Sequence, residues 1–245
     1  MFKLILCEGE TDAILISYYL ENTLNFRFVK KNPVSAPSLN KISRIMNWYK
    51  NENEIYLAIC PIGGSNFIGA VKEVDRYNKM TSGQTAFNGI VLIMDNDDDT
   101  VEDNIKMIGN ILDCQKELQA GIWNKFQYVN IYNDNYLCDI ACILQPNDEY
   151  GALETFVLNV ISEDDTDIAD AVKQVKEFVD NFKSQKYLRH RREKVKANLA
   201  ISLDVMYPSK NFTPIDQFLK QQNWKQYQIF QEQFKLLAKL VELAQ

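Results

Sequence analysis

Residues 89–99, GIVLIMDNDDD, constrain this chain more than any other stretch. Ile90, Val91, Leu92, Ile93 and Met94 form an unbroken apolar run, as in a strand buried on both faces of a parallel sheet. The run stops at five polar residues, four of them aspartates. Asp95 and Asp97 are two apart and so leave the strand end on the same side. In an open α/β sheet, ligands bind beyond the carboxyl ends of the strands. Carboxylates crowded there repel one another unless a cation or proton compensates, which favours a hard divalent metal. The alternative is a solvated acidic turn whose last aspartate caps the next helix.

With 245 residues, the chain has room for one large domain or for a core with an appended helical part. An apolar fraction of 46% with 24% charged residues is that of a globular protein, and twelve tyrosines and thirteen phenylalanines argue against disorder. No apolar run approaches the roughly 20 residues that span a bilayer, so no membrane association is expected. The start, MFKLILCEGETD, reaches an acidic residue at Glu8, unlike a signal or transit peptide. Five scattered cysteines match no zinc spacing, and their odd number argues against a disulfide framework. A reducing cytoplasm is the expected compartment. The net charge of −6 disfavours nonspecific nucleic-acid affinity, but the charge is segregated. Lys183, Lys186, Arg189, Arg191, Arg192, Lys194 and Lys196 crowd one stretch around His190, while acidic residues gather at 95–103 and 163–170.

Taken in order, Lys3–Cys7 reads as a short strand, and EGETD turns it into a helix near 11–21. Glu8 falls at that strand's carboxyl end, and Asp12 on the first helical turn. Turn formation and a favourable first-turn charge are the plainer explanations of these two. Leu39, Ile42, Ile45, Met46 and Tyr49 recur at helical spacing, which predicts a helix over 39–49. A strand over 55–60 leads into PIGGSN, where Gly63 and Gly64 allow a close backbone approach before a helix over 67–77. Helix 101–118 and strands over 127–132 and 136–145 follow. Gly151 precedes a helix with Glu154 in its first turn. From Asp165 onward the pattern is helical: Ala169, Val172, Val175, Phe178, Val179 and Phe182 form one stripe, and further helices are expected over 187–203 and 227–243. The predicted architecture is α/β, a mostly parallel sheet flanked by helices. The expected division is a core over 1–150 and a C-terminal helical extension over 151–245, packed on that core.

Three features then fall at one sheet edge: Glu8 after the first strand, the glycine pair after the second, and the aspartates after the third. This pattern resembles a Toprim domain, the catalytic fold of type IA and II topoisomerases, primases and OLD-type nucleases. Glu8-Gly9-Glu10-Thr11-Asp12 matches its first motif, E-G-x-x-D, and Asp95-Asn96-Asp97 matches its D-x-D. Gly63-Gly64 matches the glycine turn between them, so the resemblance covers about residues 1–135. Gly-Gly-Ser-Asn and Gly-Ala-Leu-Glu look most like OLD-type nucleases and small stand-alone Toprim proteins of uncharacterised function. The chain departs from the OLD pattern in having no P-loop, so a separate ATPase or other protein partner is an expectation.

The resemblance implies a Rossmann-like fold and Mg²⁺- or Mn²⁺-dependent cleavage of DNA or RNA. The implied metal ligands are Glu8, Asp95 and Asp97, with Asp12, Asp99 and Glu154 as further candidates. Glu8 would also transfer protons, and Lys194 or Lys196 would be the catalytic lysine. Gly63, Gly64, Arg189, Arg191 and Arg192 are the candidate nucleic-acid contacts. The competing expectation is a non-catalytic module of the same fold that binds a nucleotide, nucleic acid or protein. A receiver-like signalling domain would also put aspartates at strand ends, but it leaves the early Glu8 unexplained.

Overall fold

The computed structural model describes residues 2–39, 42, 45–64, 66–96, 101–114, 117–183, 186–210 and 213–242. Asp97 and Asp99 lie outside them. The described residues form two compact units. The first takes its residues from 1–94, 98–144 and 234–245, and the second from 95–97 and 145–233.

The first unit is built on a seven-stranded sheet of order β2-β3-β4-β1-β5-β7-β6. Its strands are β1 (Phe2–Cys7), β2 (Arg27–Val29), β3 (Asn47–Lys50), β4 (Tyr56–Pro61), β5 (Phe87–Asp95), β6 (Trp123–Val129) and β7 (Asn135–Gln145). β1 lies parallel between β4 and β5. Bonds at both ends of the β5–β7 seam show that these strands also run the same way: Cys138 Sγ meets Phe87 O at the start, and Asn96 N–H donates to Gln145 O at the end. Four adjacent strands, β4, β1, β5 and β7, therefore pair in parallel, in an α/β fold with antiparallel pairing at both margins.

Burial follows from the alternation of side chains along each strand. Leu4 and Leu6 of β1 join Ile90, Leu92 and Met94 of β5 in one core layer. Helix α2 (Phe67–Met80) closes that layer with Phe67, Val71 and Val74, and α3 (Val101–Ile111) with Ile105 and Ile108. Ile5, Cys7, Val91 and Ile93 point the other way and are equally buried. Helix α1 (Glu10–Asn22), which packs on β1 and β4, brings Leu15, Ile16 and Tyr19 inward.

Where a helix over 39–49 is expected, β3 runs antiparallel to β4. Aromatic residues suit a pleated, half-buried surface, and here Trp48 meets the Phe2 ring edge-on at 5.3 Å between centroids. Asn51 then seals the turn into β4 by accepting the Ile55 N–H at 3.0 Å. The strand expected over 127–132 is β6, which starts earlier and leaves Tyr132 exposed in a turn. The helix expected over 101–118 stops at Ile111.

The second unit holds α4 (Leu153–Ile161), α5 (Thr166–Asn181), α6 (Arg191–Met206), α7 (Ile215–Gln221) and most of α8 (Gln228–Phe234). Helix α6 packs on α5 and α4. Trp224 anchors the far side: its Nε1–H donates to Leu219 O at 2.7 Å, and its ring lies 5.0 Å from that of Phe230. The expected apolar stripe of α5 is buried only in part, since Val175 and Val179 are covered while Phe178 is 57% exposed. A helix expected over 227–243 is interrupted by a 3-10 turn, Lys235–Ala238, before α9 (Lys239–Glu242). The returning segment belongs to the first unit. There Phe234 meets Tyr19 at 5.6 Å between rings, and Trp123 Nε1–H donates to Leu236 O at 3.0 Å. Among the described residues no helix is long and apolar enough to cross a membrane.

Candidate functional site

In the first unit, the strand order reverses between β1 and β5: from β1 the chain runs out to β2 at the margin and builds back through β3 to β4, and α2 then carries it across to β5. Such a reversal leaves a crevice at the carboxyl ends of the two strands flanking it. Cys7 pairs with Ile93 in the β1–β5 register, so Glu8 follows directly beyond the last β1 partner. Asp95 is the final residue of β5.

The backbone of Glu8 is tightly held. Its carbonyl accepts the N–H groups of Gly63 at 2.9 Å and Gly64 at 3.1 Å, and Cys7 O accepts Ile62 N–H at 2.9 Å. Those two N–H groups of the candidate nucleic-acid contacts Gly63 and Gly64 are thus engaged by Glu8 O. Their φ angles are +75° and +136°, with nothing within 4 Å of a Cβ built on either. Backbone conformation, not space, selects glycine here. Gly64→Ala is expected to cost about 1–3 kcal/mol through that strain. Urea denaturation checks it, and a loss below about 0.5 kcal/mol would show that the turn relaxes freely. Asp12 sits in the first turn of α1, and its Oδ2 accepts the Gly9 N–H at 2.9 Å. It closes the helix start, the plainer of its two expected roles.

In the second unit, Asp95 Oδ1 accepts the Leu153 N–H at 3.2 Å, so this carboxylate sits at the N-terminus of α4. The helix dipole favours negative charge there. Glu154 is the next residue on the same turn and is half-buried. Asn96, the middle residue of the D-x-D, is a latch: its N–H reaches Gln145 O at 3.0 Å and its carbonyl accepts Gly151 N–H at 2.8 Å. Its Nδ2 also donates to Glu149 O at 2.9 Å. Among the described residues no group of three or more His, Cys, Asp or Glu side chains is arranged to hold a metal ion.

The basic stretch enters α6. Glu193 accepts the N–H groups of His190 at 2.9 Å and Arg189 at 2.6 Å, and these bonds, the His190 N–H first, hold its carboxyl below the ordinary range. Arg189, Arg191 and Lys194 line a cavity of about 550 Å³ within this unit. Arg192 and Lys196 are exposed and take no part in that lining. Lys194 Nζ stands 3.8 Å from Asp180 Oδ1.

A family model described as "Protein of unknown function (DUF3226)" matches residues 2–239. The chain belongs to the DUF3226 family. No curated protein matches this DUF3226 chain. Among solved structures, it is similar to the hypothetical protein PH0156 from Pyrococcus horikoshii OT3, at 16% identity and a TM-score of 0.49. That match covers 98% of this chain and 99% of the other.

Several residues of the DUF3226 chain escape sequence reasoning: Tyr150, Lys176, Asp180 and Asn198 also line the basic cavity. Part of the signal was readable. Arg191, Lys194 and Asn198 are spaced i, i+3 and i+7 along α6, one face of a helix.

Proposed function

We propose that this DUF3226 chain performs metal-dependent phosphodiester chemistry on DNA or RNA through a Toprim-like site, with hydrolysis as the reaction. One observation carries the reading. The two parallel strands flanking the reversal of strand order end in carboxylates, Glu8 after β1 and Asp95 on β5. The donor chemistry fits the ion, since carboxylate oxygens select hard cations such as Mg²⁺ or Mn²⁺. Mg²⁺ keeps several waters and binds through one or two carboxylates plus substrate phosphates, so it does not require a preformed protein cage. Glu8 and Asp95 would be its ligands, with Asp97, Asp99 and Glu154 as further candidates. Asp12 moves down the order, because its Oδ2 closes α1.

When bound, the ion supplies Lewis-acid polarisation of a phosphoryl oxygen and a more acidic water. Glu8 contributes a carboxylate on a rigid mount, with its main chain held by two glycine N–H groups, suited to orienting and accepting a proton. Lys194 offers positive charge for the phosphate; Lys196, exposed on α6, is the weaker candidate.

Calorimetric titration with Mn²⁺, alongside cleavage assays on single- and double-stranded DNA and RNA, tests the proposal. Glu8→Gln is expected to lower the cleavage rate by about 100-fold or more while the fold persists. Wild-type cleavage by both Glu8→Gln and Asp95→Asn would overturn the assignment. A second reading is a non-catalytic nucleotide-binding module, which the basic cavity of the second unit favours.

A further inference from the structure

The cavity between α4, α5 and α6 has a composition of its own. Four cations, Lys176, Arg189, Arg191 and Lys194, line it against two carboxylates, Glu149 and Asp180. Asn159 Nδ2 donates to Glu149 Oε1 and Lys194 Nζ faces Asp180 at 3.8 Å, so both carboxylates are engaged and the lining keeps an excess of positive charge. About 550 Å³ is within the range of pockets that enclose a small organic ligand, and is far more than a bare phosphate fills. Leu158, Val172 and Val195 add an apolar wall. The Arg191 guanidinium lies 3.2 Å from the centre of the Tyr150 ring, which is 48% exposed. Stacking holds the guanidinium plane, and a guanidinium is the side chain whose planar geometry best matches a phosphate.

A second observation comes from the far end of the same helix face. Asn198 Oδ1 is buried with no hydrogen-bond partner. A buried acceptor left unmatched is destabilising, so a ligand donor reaching it would recover that loss. The cavity thus offers cations for an anion, an apolar wall for a ring and an acceptor for an N–H or O–H group.

We infer that this cavity is a binding site for a nucleotide bearing a phosphomonoester. The phosphate sits against Arg189, Arg191 and Lys194, and a base or sugar donor faces Asn198. Two sources share that chemistry: a free mononucleotide, and the 5′-phosphorylated end of a nucleic-acid strand. Only the strand end rests on the phosphodiester reading above.

The test uses the full chain in EDTA, so that metal binding at Glu8 and Asp95 has no bearing on it. The probes are AMP and two 3′-labelled oligonucleotides that differ only in a 5′-phosphate. Preference for the phosphorylated strand by about tenfold or more, lost in Arg191→Ala, supports the strand end as the ligand. AMP binding that Arg191→Ala weakens about tenfold, with no preference between the strands, supports the free nucleotide. Lys176→Met, a change at an exposed position on α5, should weaken the same interaction and guards against a folding artefact at Arg191. Neither AMP binding nor a 5′-phosphate preference in the wild type would overturn the inference. So would binding that both variants, folded by circular dichroism, leave unchanged.

Discussion

Asn78→Ala is expected to lower the unfolding free energy by about 3–4 kcal/mol, far more than its place near the end of an amphipathic helix suggests. Asn78 is fully buried. Its Nδ2 donates to Phe87 O at 2.8 Å and its Oδ1 accepts Phe87 N–H at 2.9 Å. The side chain therefore acts as a strand partner for the first residue of β5. Alanine would leave the buried Phe87 N–H without its amide acceptor and its carbonyl with only the weak Cys138 thiol donor. The same asparagine's carbonyl accepts Tyr136 O–H at 2.5 Å, and Tyr136→Phe should cost only about 1 kcal/mol, since one acceptor is affected. Urea denaturation of the three proteins checks the order. Equal losses for the two variants would mean that Phe87 finds other partners.

The second large effect concerns Lys3, a cation in the middle of the sheet with 2% of its surface exposed. Burial lowers its pKa from 10.5 to about 8, with the neighbouring Cys138 and Asp139 opposing that shift. The fold prefers the neutral amine, so between pH 8 and 10.5 the unfolded chain binds more protons. Stability from this site therefore rises with pH across that window, and below it the buried ammonium costs about 3 kcal/mol. Lys3→Met removes this dependence. Relative to wild type, its stability should fall by about 3 kcal/mol from pH 7 to pH 10.5. Burial also raises the Cys142 thiol to about 12 and pushes the Tyr128 phenol up. These groups stabilise below their ordinary pKa values, and both proteins lose that contribution as pH climbs past 9, so it cancels in the difference. Denaturant midpoints at pH 7, 9 and 10.5 provide the comparison. A constant gap would show that Lys3 titrates normally in the fold.

How well the sequence could be read depended on position in the sheet. The inner strands carry continuous apolar runs because both their faces are covered, and 90–94 could be placed on that ground alone. The margins offered no such signal. Leu39, Ile42, Ile45, Met46 and Tyr49 match a helical period by residue type, yet β3 forms because Trp48 and Tyr49 are claimed by neighbours distant in sequence. The candidate site divides in the same way. Glu8 and Asp95 were legible because a strand's end can be read from where its apolar run stops. The parts played by Asn96 and Asn78 were not, since an amide's partner is whichever backbone group the fold brings opposite it. Two of the cavity's four cations, Arg191 and Lys194, could be read from helical spacing on α6; Tyr150 and Lys176 enter only through tertiary packing.

The return of the chain to the first unit bears on synthesis. A ribosome makes the sheet strands first, at about 5–20 residues per second, then the whole second unit, and only afterwards the segment from Phe234. Until that segment emerges, Tyr19 lacks the ring that packs on it and Trp123 lacks the carbonyl its indole N–H reaches. Both contacts are long-range in sequence, and the one between Tyr19 and Phe234 spans most of the chain, so their closure is entropically costly and slow. The nascent sheet thus waits, incomplete, through the synthesis of an entire intervening body. Chaperone dependence during translation is the form in which a cell would meet this order of events.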